Sequence, residues 1–210
     1  MTREPDGAIA RAAAVDLFKS NSQAIENYAG ILTRRAVEWG LLGPREAERV
    51  WDRHILNSAA LAQLVPTGST VIDVGSGAGL PGIPLAILRP DLTVTLLDPL
   101  LRRWTFLRDV ITELGLEDRV SAVRERAEDH AGRYDVVIAR ALARLDTLIT
   151  WCDPLRRPGG MIVALKGEGA DAELAEAAKT LSARGLDAEL LVVRAHPAAG
   201  PARVVRIVER

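Results

Sequence analysis

A run of apolar residues that ends in a cluster of glycines constrains this chain more than any other feature. The segment is Val71-Ile72-Asp73-Val74-Gly75-Ser76-Gly77-Ala78-Gly79-Leu80. An apolar strand enters a turn of small residues, and a helix is expected to leave it. Glycine reaches backbone angles closed to other residues and lets a ligand come close to the main chain. The same pattern also describes a tight strand-helix turn that binds nothing, so its surroundings must decide. From Pro66-Thr67-Gly68 onward those surroundings alternate strands with helices. Strands are expected at 70–74, 93–97, 120–124, 134–139 and 161–166. Helical patterns lie between or after them: 100–114, ended by Gly115, a stretch at 145–151, and 170–184, ended by Gly185. Such alternation implies parallel strands joined by right-handed crossovers. Two last strands, 189–194 and 203–208, are joined by a loop too short for a crossover helix, so they should be antiparallel.

Residues 1–65 read differently. Ile25, Tyr28, Ile31, Leu32, Ala36 and Trp39 recur at helical spacing, with Ser22 as the expected N-cap and Gly40 and Gly43 as stops. Pro44 suits the first turn of a second helix, continued by Ala47, Val50 and Trp51. A third runs through Ile55, Leu56, Ala59, Ala60 and Leu64. The expected organisation is a helical N-terminal extension, 1–65, followed by an α/β domain, 66–210. A parallel sheet that finishes in an antiparallel hairpin resembles the Rossmann-like sheet of class I methyltransferases that use S-adenosylmethionine.

The glycine turn raises the choice of nucleotide. Gly77-Ala78-Gly79-Leu80-Pro81-Gly82 formally matches the dinucleotide pattern GxGxxG. That match starts two residues late, however, because Gly75 holds the place straight after the strand. Asp73, at the strand end, would repel a pyrophosphate but suits a ligand with an ammonium and a sulfonium charge. S-adenosylmethionine is such a ligand. Asp98 ends the second strand about twenty residues on, where a carboxylate accepts hydrogen bonds from both ribose hydroxyls. Asp98-Pro99 is also a good helix opening, and the two roles are compatible. After the third strand, Arg126-Ala127-Glu128-Asp129 offers backbone and side-chain contacts to an adenine amine.

Absent motifs narrow the reaction. Methylation of an exocyclic base amine usually requires an Asn- or Asp-Pro-Pro-aromatic clamp after the fourth strand, and here Ile138-Ala139-Arg140-Ala141-Leu142 stands instead. C5 methylation of a pyrimidine needs a cysteine nucleophile, yet the single cysteine, Cys152, reads as a small buried residue of a helix. His54, His130 and His196 have no neighbours at metal-ligand spacing, and the last two read as solvated loop residues. An acceptor with an exposed lone pair, such as guanine N7 or a small-molecule amine or carboxylate, needs no general base. Catalysis then consists of in-line positioning and electrostatics. Arg140, at the tip of the fourth strand, would orient either the cofactor carboxylate or the acceptor.

Charge fits one restricted polyanion-binding face rather than a uniformly basic chain. The 210 residues carry 27 Lys and Arg against 28 Asp and Glu, with 48% hydrophobic residues, a composition that argues for a packed core. Only Lys19, Lys166 and Lys179 are lysines; the other 24 basic residues are arginines. Arg102, Arg103, Arg124, Arg126, Arg140, Arg144 and Lys166 all follow strands on the edge that carries the glycine turn. This rim suits phosphates, with Glu125, Glu128, Asp129 and Asp146 as acidic neighbours. The start, Met1-Thr2-Arg3-Glu4-Pro5-Asp6, is charged, and neither a signal peptide nor a membrane span is read. A cytoplasmic protein is therefore expected.

Several segments together resemble one family. They are Arg53-His54-Ile55-Leu56-Asn57-Ser58, the stretch from Asp73 through Gly79-Leu80-Pro81-Gly82-Ile83-Pro84, and Leu97-Asp98-Pro99-Leu100-Leu101-Arg102-Arg103 with Phe106-Leu107. Arg140-Ala141-Leu142 and Ala164-Leu165-Lys166-Gly167 complete the set. The chain resembles the 16S ribosomal RNA guanine-N7 methyltransferases, also called glucose-inhibited division protein B, from about residue 15 onward. The resemblance implies methyl transfer from S-adenosylmethionine to N7 of a guanine near the decoding region. The expected substrate is the 16S RNA or the small ribosomal subunit, and the expected protein is a monomer without metal.

Combined with the turn itself, the cofactor set becomes Asp73, Gly75, Gly77, Gly79, Leu80, Asp98, Ala127, Glu128 and Arg140. Arg140 is also the candidate catalytic residue. Arg53, His54, Arg102, Arg126, Lys166 and Arg203 are candidate RNA contacts, with helix packing an equal reading for His54. Two positions depart from the family: Asn57, where Asp is common, and Arg102, where Lys is common. A small-molecule methyltransferase and a non-catalytic RNA-binding module remain the alternative readings.

Overall fold

The computed structural model describes residues 7–210; the charged start, residues 1–6, lies outside them. Helices α1 (Gly7–Phe18), α2 (Ser22–Thr33), α3 (Arg35–Glu38) and α4 (Pro44–Ala47) come first. A π-helical turn, Val50–Leu56, then leads into α5 (Asn57–Ala59) and a 3-10 turn, Ala60–Gln63. The second half is β1 (Thr70–Val74), α6 (Gly82–Leu88), β2 (Thr93–Leu97), α7 (Leu101–Glu113), β3 (Val120–Val123) and β4 (Tyr134–Arg140). It closes with α8 (Leu145–Cys152), β5 (Arg156–Lys166), α9 (Ala170–Glu176), α10 (Ala178–Ala183), β6 (Leu186–Val193) and β7 (Ala202–Glu209).

The seven strands form one sheet in the order β3-β2-β1-β4-β5-β7-β6. β1 to β5 run parallel; β7 pairs antiparallel with β6, as the short loop between them requires, and antiparallel with β5 on its other side. The order reverses between β1 and β4, and open α/β sheets bind ligands beyond the carboxyl ends of strands at such a point. Val74 pairs with Leu97 on one side and Ala139 on the other, which brings the glycine turn, Asp98 and Arg140 to one edge.

The central strands are buried on both faces, so they are almost wholly apolar, and their alternation divides the core in two. Val71, Leu96, Ile138, Val163 and Val204 pack into one cluster with α1, α2, α6 and α7, including Phe18, Ile25, Tyr28, Ile83 and Phe106. Ile72, Leu97, Val137, Ala164 and Val205 pack into the other against α8, α9 and α10. The helices that precede the sheet thus share one continuous core with its first face.

Some boundaries differ from the sequence reading for local reasons. Ser22 is the first helical residue rather than the N-cap, and Asn21 precedes it. The Asn21 amide is used elsewhere, donating from Nδ2 to the Ile87 carbonyl at 2.8 Å, and this ties α2 to the end of α6. The helix expected to continue from Pro44 ends at Ala47, and the chain resumes in the wider π-helical turn. β5 begins at Arg156 instead of 161, with the pairing shifted between Tyr134 and Val136. The expected helix 170–184 is divided at Ala177.

Candidate active site

The glycine turn is held from four directions. Gly75 and Ser76 donate their N–H groups to the Leu97 carbonyl at 2.8 and 3.1 Å. Gly77 donates to Asp98 Oδ2 at 3.1 Å, and Gly82 donates to Asp73 Oδ2 at 3.0 Å. The Tyr28 hydroxyl, from α2, donates to the Ala78 carbonyl at 2.9 Å. Gly82 has to be glycine: a Cβ there would lie 2.4 Å from Leu96 Cδ2 and 2.8 Å from Asp73 Oδ2. Gly75 adopts φ +73°, and a Cβ there would lie 2.6 Å from Leu142 Cδ1.

Beside this turn lies a groove walled by Val74, Gly75, Leu97, Pro99, Leu142 and Trp151, with the 125–128 segment along its rim. A tight part of about 110 Å³ opens into a wider part of about 640 Å³ that Asp98, Arg103 and Arg124 also border. Apolar walls, a bare glycine backbone and a carboxylate at the strand end match an adenosine with its ribose. Asp98 is fully buried and already occupied. Its Oδ1 accepts from Leu100 N–H at 3.0 Å, and its Oδ2 also meets Arg103 Nη1 at 3.3 Å. Asp98 therefore braces the start of α7 from outside the helix; the N-cap position itself is Leu100.

Asp73 lies beneath the turn, fully buried, with Oδ1 lacking a hydrogen-bond partner. Burial pushes its carboxyl up to about 7, against the opposing pull of the Gly82 N–H. Gly77, Gly79 and Leu80 shape the same turn without lining the groove, whereas Gly75, Asp98, Ala127 and Glu128 border it.

A second recess, a cleft of about 940 Å³, lies across the Arg140-Ala141-Leu142 segment. Its walls include Glu46, Arg53, His54 and Asn57 from the helical region, together with Arg140, Arg144 and Lys166 from the sheet edge. Arg140 faces this cleft. Its Nη2 donates to His54 Nδ1, and its Nη1 donates to the Arg53 carbonyl at 3.3 Å. His54 is buried, and burial together with the nearby Arg140, Arg53 and Arg49 lowers its pKa to about 3, so the ring is neutral. Its Nε2 lies 3.1 Å from Glu46 Oε2 without aligning as a hydrogen bond. Glu46 also meets Arg53 Nε at 3.1 Å. Ala141 takes φ +51°, a left-handed conformation that strains alanine and often marks a functional turn.

A family model for rRNA small subunit methyltransferase G matches residues 21–197. The chain belongs to the rRNA small subunit methyltransferase G family. It is 51% identical over 195 residues to the Ribosomal RNA small subunit methyltransferase G of Mycolicibacterium smegmatis, covering 90% of this chain and 82% of that one. The protein of the same name from Kineococcus radiotolerans is 48% identical over 208 residues, 98% of this chain and 80% of the relative. Among solved structures, the fold resembles a precorrin-6y C5,15-methyltransferase from Geobacter metallireducens with TM-score 0.55 and 18% identity, covering 81% of this chain and 91% of that one. It likewise resembles M. jannaschii TYW2 in complex with AdoMet, with TM-score 0.55 and 19% identity over 72% of each chain.

Within this member of the rRNA small subunit methyltransferase G family, the basic candidates separate into two groups. Arg53, Arg102 and Arg126 are exposed. Lys166 is nearly covered, with Nζ 2.6 Å from Glu173 Oε2, and Arg203 lies 3.6 Å from Asp171 Oδ2. Arg144 pairs with Glu176. Cys152 is buried, and burial holds its thiol well above the ordinary range, so it is no nucleophile. The two loop histidines are less solvated than their sequence context suggests. His130 Nε2 meets the Tyr134 hydroxyl at 2.9 Å and its Nδ1 meets Glu125 at 2.6 Å, while His196 meets Asp16 at 3.1 Å.

Tyr28, Glu46, Leu142, Trp151 and Glu173 join the site without having been singled out by sequence. Tyr28 counted only as one apolar position in a helical repeat. Leu142 belongs to the family motif Arg140-Ala141-Leu142, but nothing local places its side chain against Gly75.

Proposed function

We propose that this protein transfers a methyl group from S-adenosylmethionine to ring N7 of a guanine in 16S ribosomal RNA, near the decoding region. The observation that carries this reading is the placement of two recesses on one sheet edge, with Leu142 lining one and the adjacent Arg140 and Ala141 lining the other. One has the walls for an adenosine, and the other is an open cleft bordered by Arg53, Arg140 and Arg144. The named relatives supply the substrate class.

When bound, S-adenosylmethionine supplies a methyl group on a positively charged sulfur. Asp98 would hold the ribose side of that cofactor, and Ala127 and Glu128, which border the groove, would lie beside its base. Guanine N7 carries an exposed lone pair, so no proton has to leave before attack and the chain needs no general base. Its residues serve to align acceptor and methyl in line and to keep the acceptor from turning. Arg140 orients the acceptor, because a guanidinium donates well to the O6 edge of guanine beside N7. Neutral His54 and the Arg53 carbonyl accept from that guanidinium and fix its direction.

In this reading residues 66–210 form the methyltransferase domain, and residues 1–65 are a helical extension that supplies Arg53 and His54. The protein acts as a cytoplasmic monomer. Among the described residues no helix is long and apolar enough to cross a membrane. A small-molecule acceptor would call for a closed apolar pocket, and the cleft is open and rimmed with charge.

The test is incubation with methyl-labelled cofactor and either free 16S RNA or small subunits, with N7-methylguanine mapped by mass spectrometry. Label on N7 of one guanine is expected, and label on neither RNA form overturns the proposal. Arg140→Ala should reduce transfer by at least about 100-fold, the scale of losing a positioning group, with an unchanged circular dichroism spectrum. Near-normal turnover would remove Arg140 from the mechanism.

A further inference from the structure

Lys166 ends β5 on the cleft side, where its position suggests a phosphate contact. Its surroundings suggest another task. The side chain is only 8% exposed, and Nζ lies 2.6 Å from Glu173 Oε2 on α9. The same amine donates to the Ala143 carbonyl at 2.9 Å. Glu173 Oε2 in turn accepts the Leu145 N–H at 2.9 Å. One ion pair thus grips the loop on both sides of Arg144, by a carbonyl before it and an amide after it.

That loop begins with Arg140, whose guanidinium enters the cleft, and Ala141, whose φ of +51° persists only where the surroundings hold it. It continues to Leu142, which abuts Gly75 in the groove wall. Any drift of the 141–145 backbone would therefore move the wall shared by both recesses. A phosphate could reach Lys166 only after displacing two acceptors, one of them a charged partner at short range.

We infer that Lys166 and Glu173 are positioning residues that clamp the 141–145 loop, and that Lys166 is not an RNA phosphate contact. The inference deepens the proposed methyl transfer and rests on it for the kinetic part of its test. The clamp itself is read without activity.

Lys166→Met, Glu173→Leu and the milder Glu173→Gln should be compared by hydrogen-exchange mass spectrometry, by steady-state methyl transfer to RNA and by RNA binding across a salt series. Glutamine keeps an acceptor for the Leu145 amide but loses the ion pair, so it also serves if the leucine variant folds poorly. Faster exchange over 141–146 is expected, by about tenfold in Lys166→Met and Glu173→Leu, matching the loss of one charge-assisted hydrogen bond. It should be smaller in Glu173→Gln. The kcat should fall in parallel, with KM for RNA and the salt slope of binding unchanged. Combining Lys166→Met with Glu173→Leu should cost little more than the worse single change.

Three results would overturn the inference: unchanged exchange, faster exchange with unaltered kcat, or a salt slope reduced by about one in Lys166→Met, as the loss of a phosphate contact requires. Wild-type protein that methylates no RNA would defeat the proposed function alone. The exchange data would still decide whether the clamp exists.

Discussion

Two buried ionisable side chains beside the site are shifted in opposite senses to Asp and His in water, and each leaves a signature in stability. His54 is lowered to about 3, chiefly by burial and then by Arg140. Unfolded histidine titrates near 6.5. Between those values the unfolded chain binds more protons, so this residue makes stability rise with pH from about 3 to 6.5. Asp73 is raised to about 7 by burial. Between about 4 and 7 the folded chain binds more protons, so this residue makes stability fall as pH rises through that window. One proton of difference is worth about 1.4 kcal/mol per pH unit, or about 3 °C in Tm for a chain this size. In Tm measured against pH, His54→Gln should therefore lose a rise of that slope between pH 4 and 6. Asp73→Asn should lose a fall of that slope between pH 5 and 7. Parallel curves for variant and wild type would reject the assignment. The aspartate was visible in the sequence as the acidic end of a strand, but its burial was not. Whether it faces a ligand or the underside of the turn depends on the packing of α6 and Leu96.

At the scale of elements, the glycine turn depends on a helix some fifty residues upstream. The Tyr28 hydroxyl is the donor that reaches the Ala78 carbonyl, and burial, then the Asp73 charge, keeps the phenol protonated. Tyr28→Phe removes one buried hydrogen bond and leaves a carbonyl unsatisfied, which should cost about 1–3 kcal/mol. It should also weaken S-adenosylmethionine binding several-fold in calorimetry, because the turn is then held on fewer sides. Unchanged affinity would confine Tyr28 to stability. The strands and the helix 101–113 were legible because their periodicity and their glycine stops are local signals. The π-helical Val50–Leu56 was not. Its wider turn places Arg53 at the surface and His54 against Arg140, and only contact with the sheet edge selects that geometry over a continued α-helix.

For the whole molecule, the near-neutral balance of 27 basic against 28 acidic residues takes on meaning from its distribution. Around the α9 side of the cleft, Arg144, Lys166 and Arg203 each have an acidic partner. Arg102, in the first turn of α7, and Arg126, on the loop after β3, are exposed. The side bearing Arg102 and Arg126 should therefore carry the RNA backbone. Replacing either with alanine should lower the salt slope of RNA binding by about 0.7–0.9, the share of one phosphate contact; Arg102, which does not line the adenosine groove, should do so with cofactor affinity unchanged. Arg203→Ala should lower it less, since its charge is already partly balanced. Equal effects at all three positions would place the RNA across the whole edge instead.

By itself the sequence determined the sheet, the glycine turn, the acidic strand ends and the family motifs, because each rests on residues a few positions apart. Backbone sterics and side-chain periodicity act at that range. Only the tertiary structure decided which charges are spent on one another and which remain for a partner. Lys166 with Glu173, Tyr28 with Ala78 and His54 with Arg140 meet across 7 to 86 positions of chain. Such pairs are set by the burial of two apolar clusters on the sheet, which brings together groups that no local pattern relates.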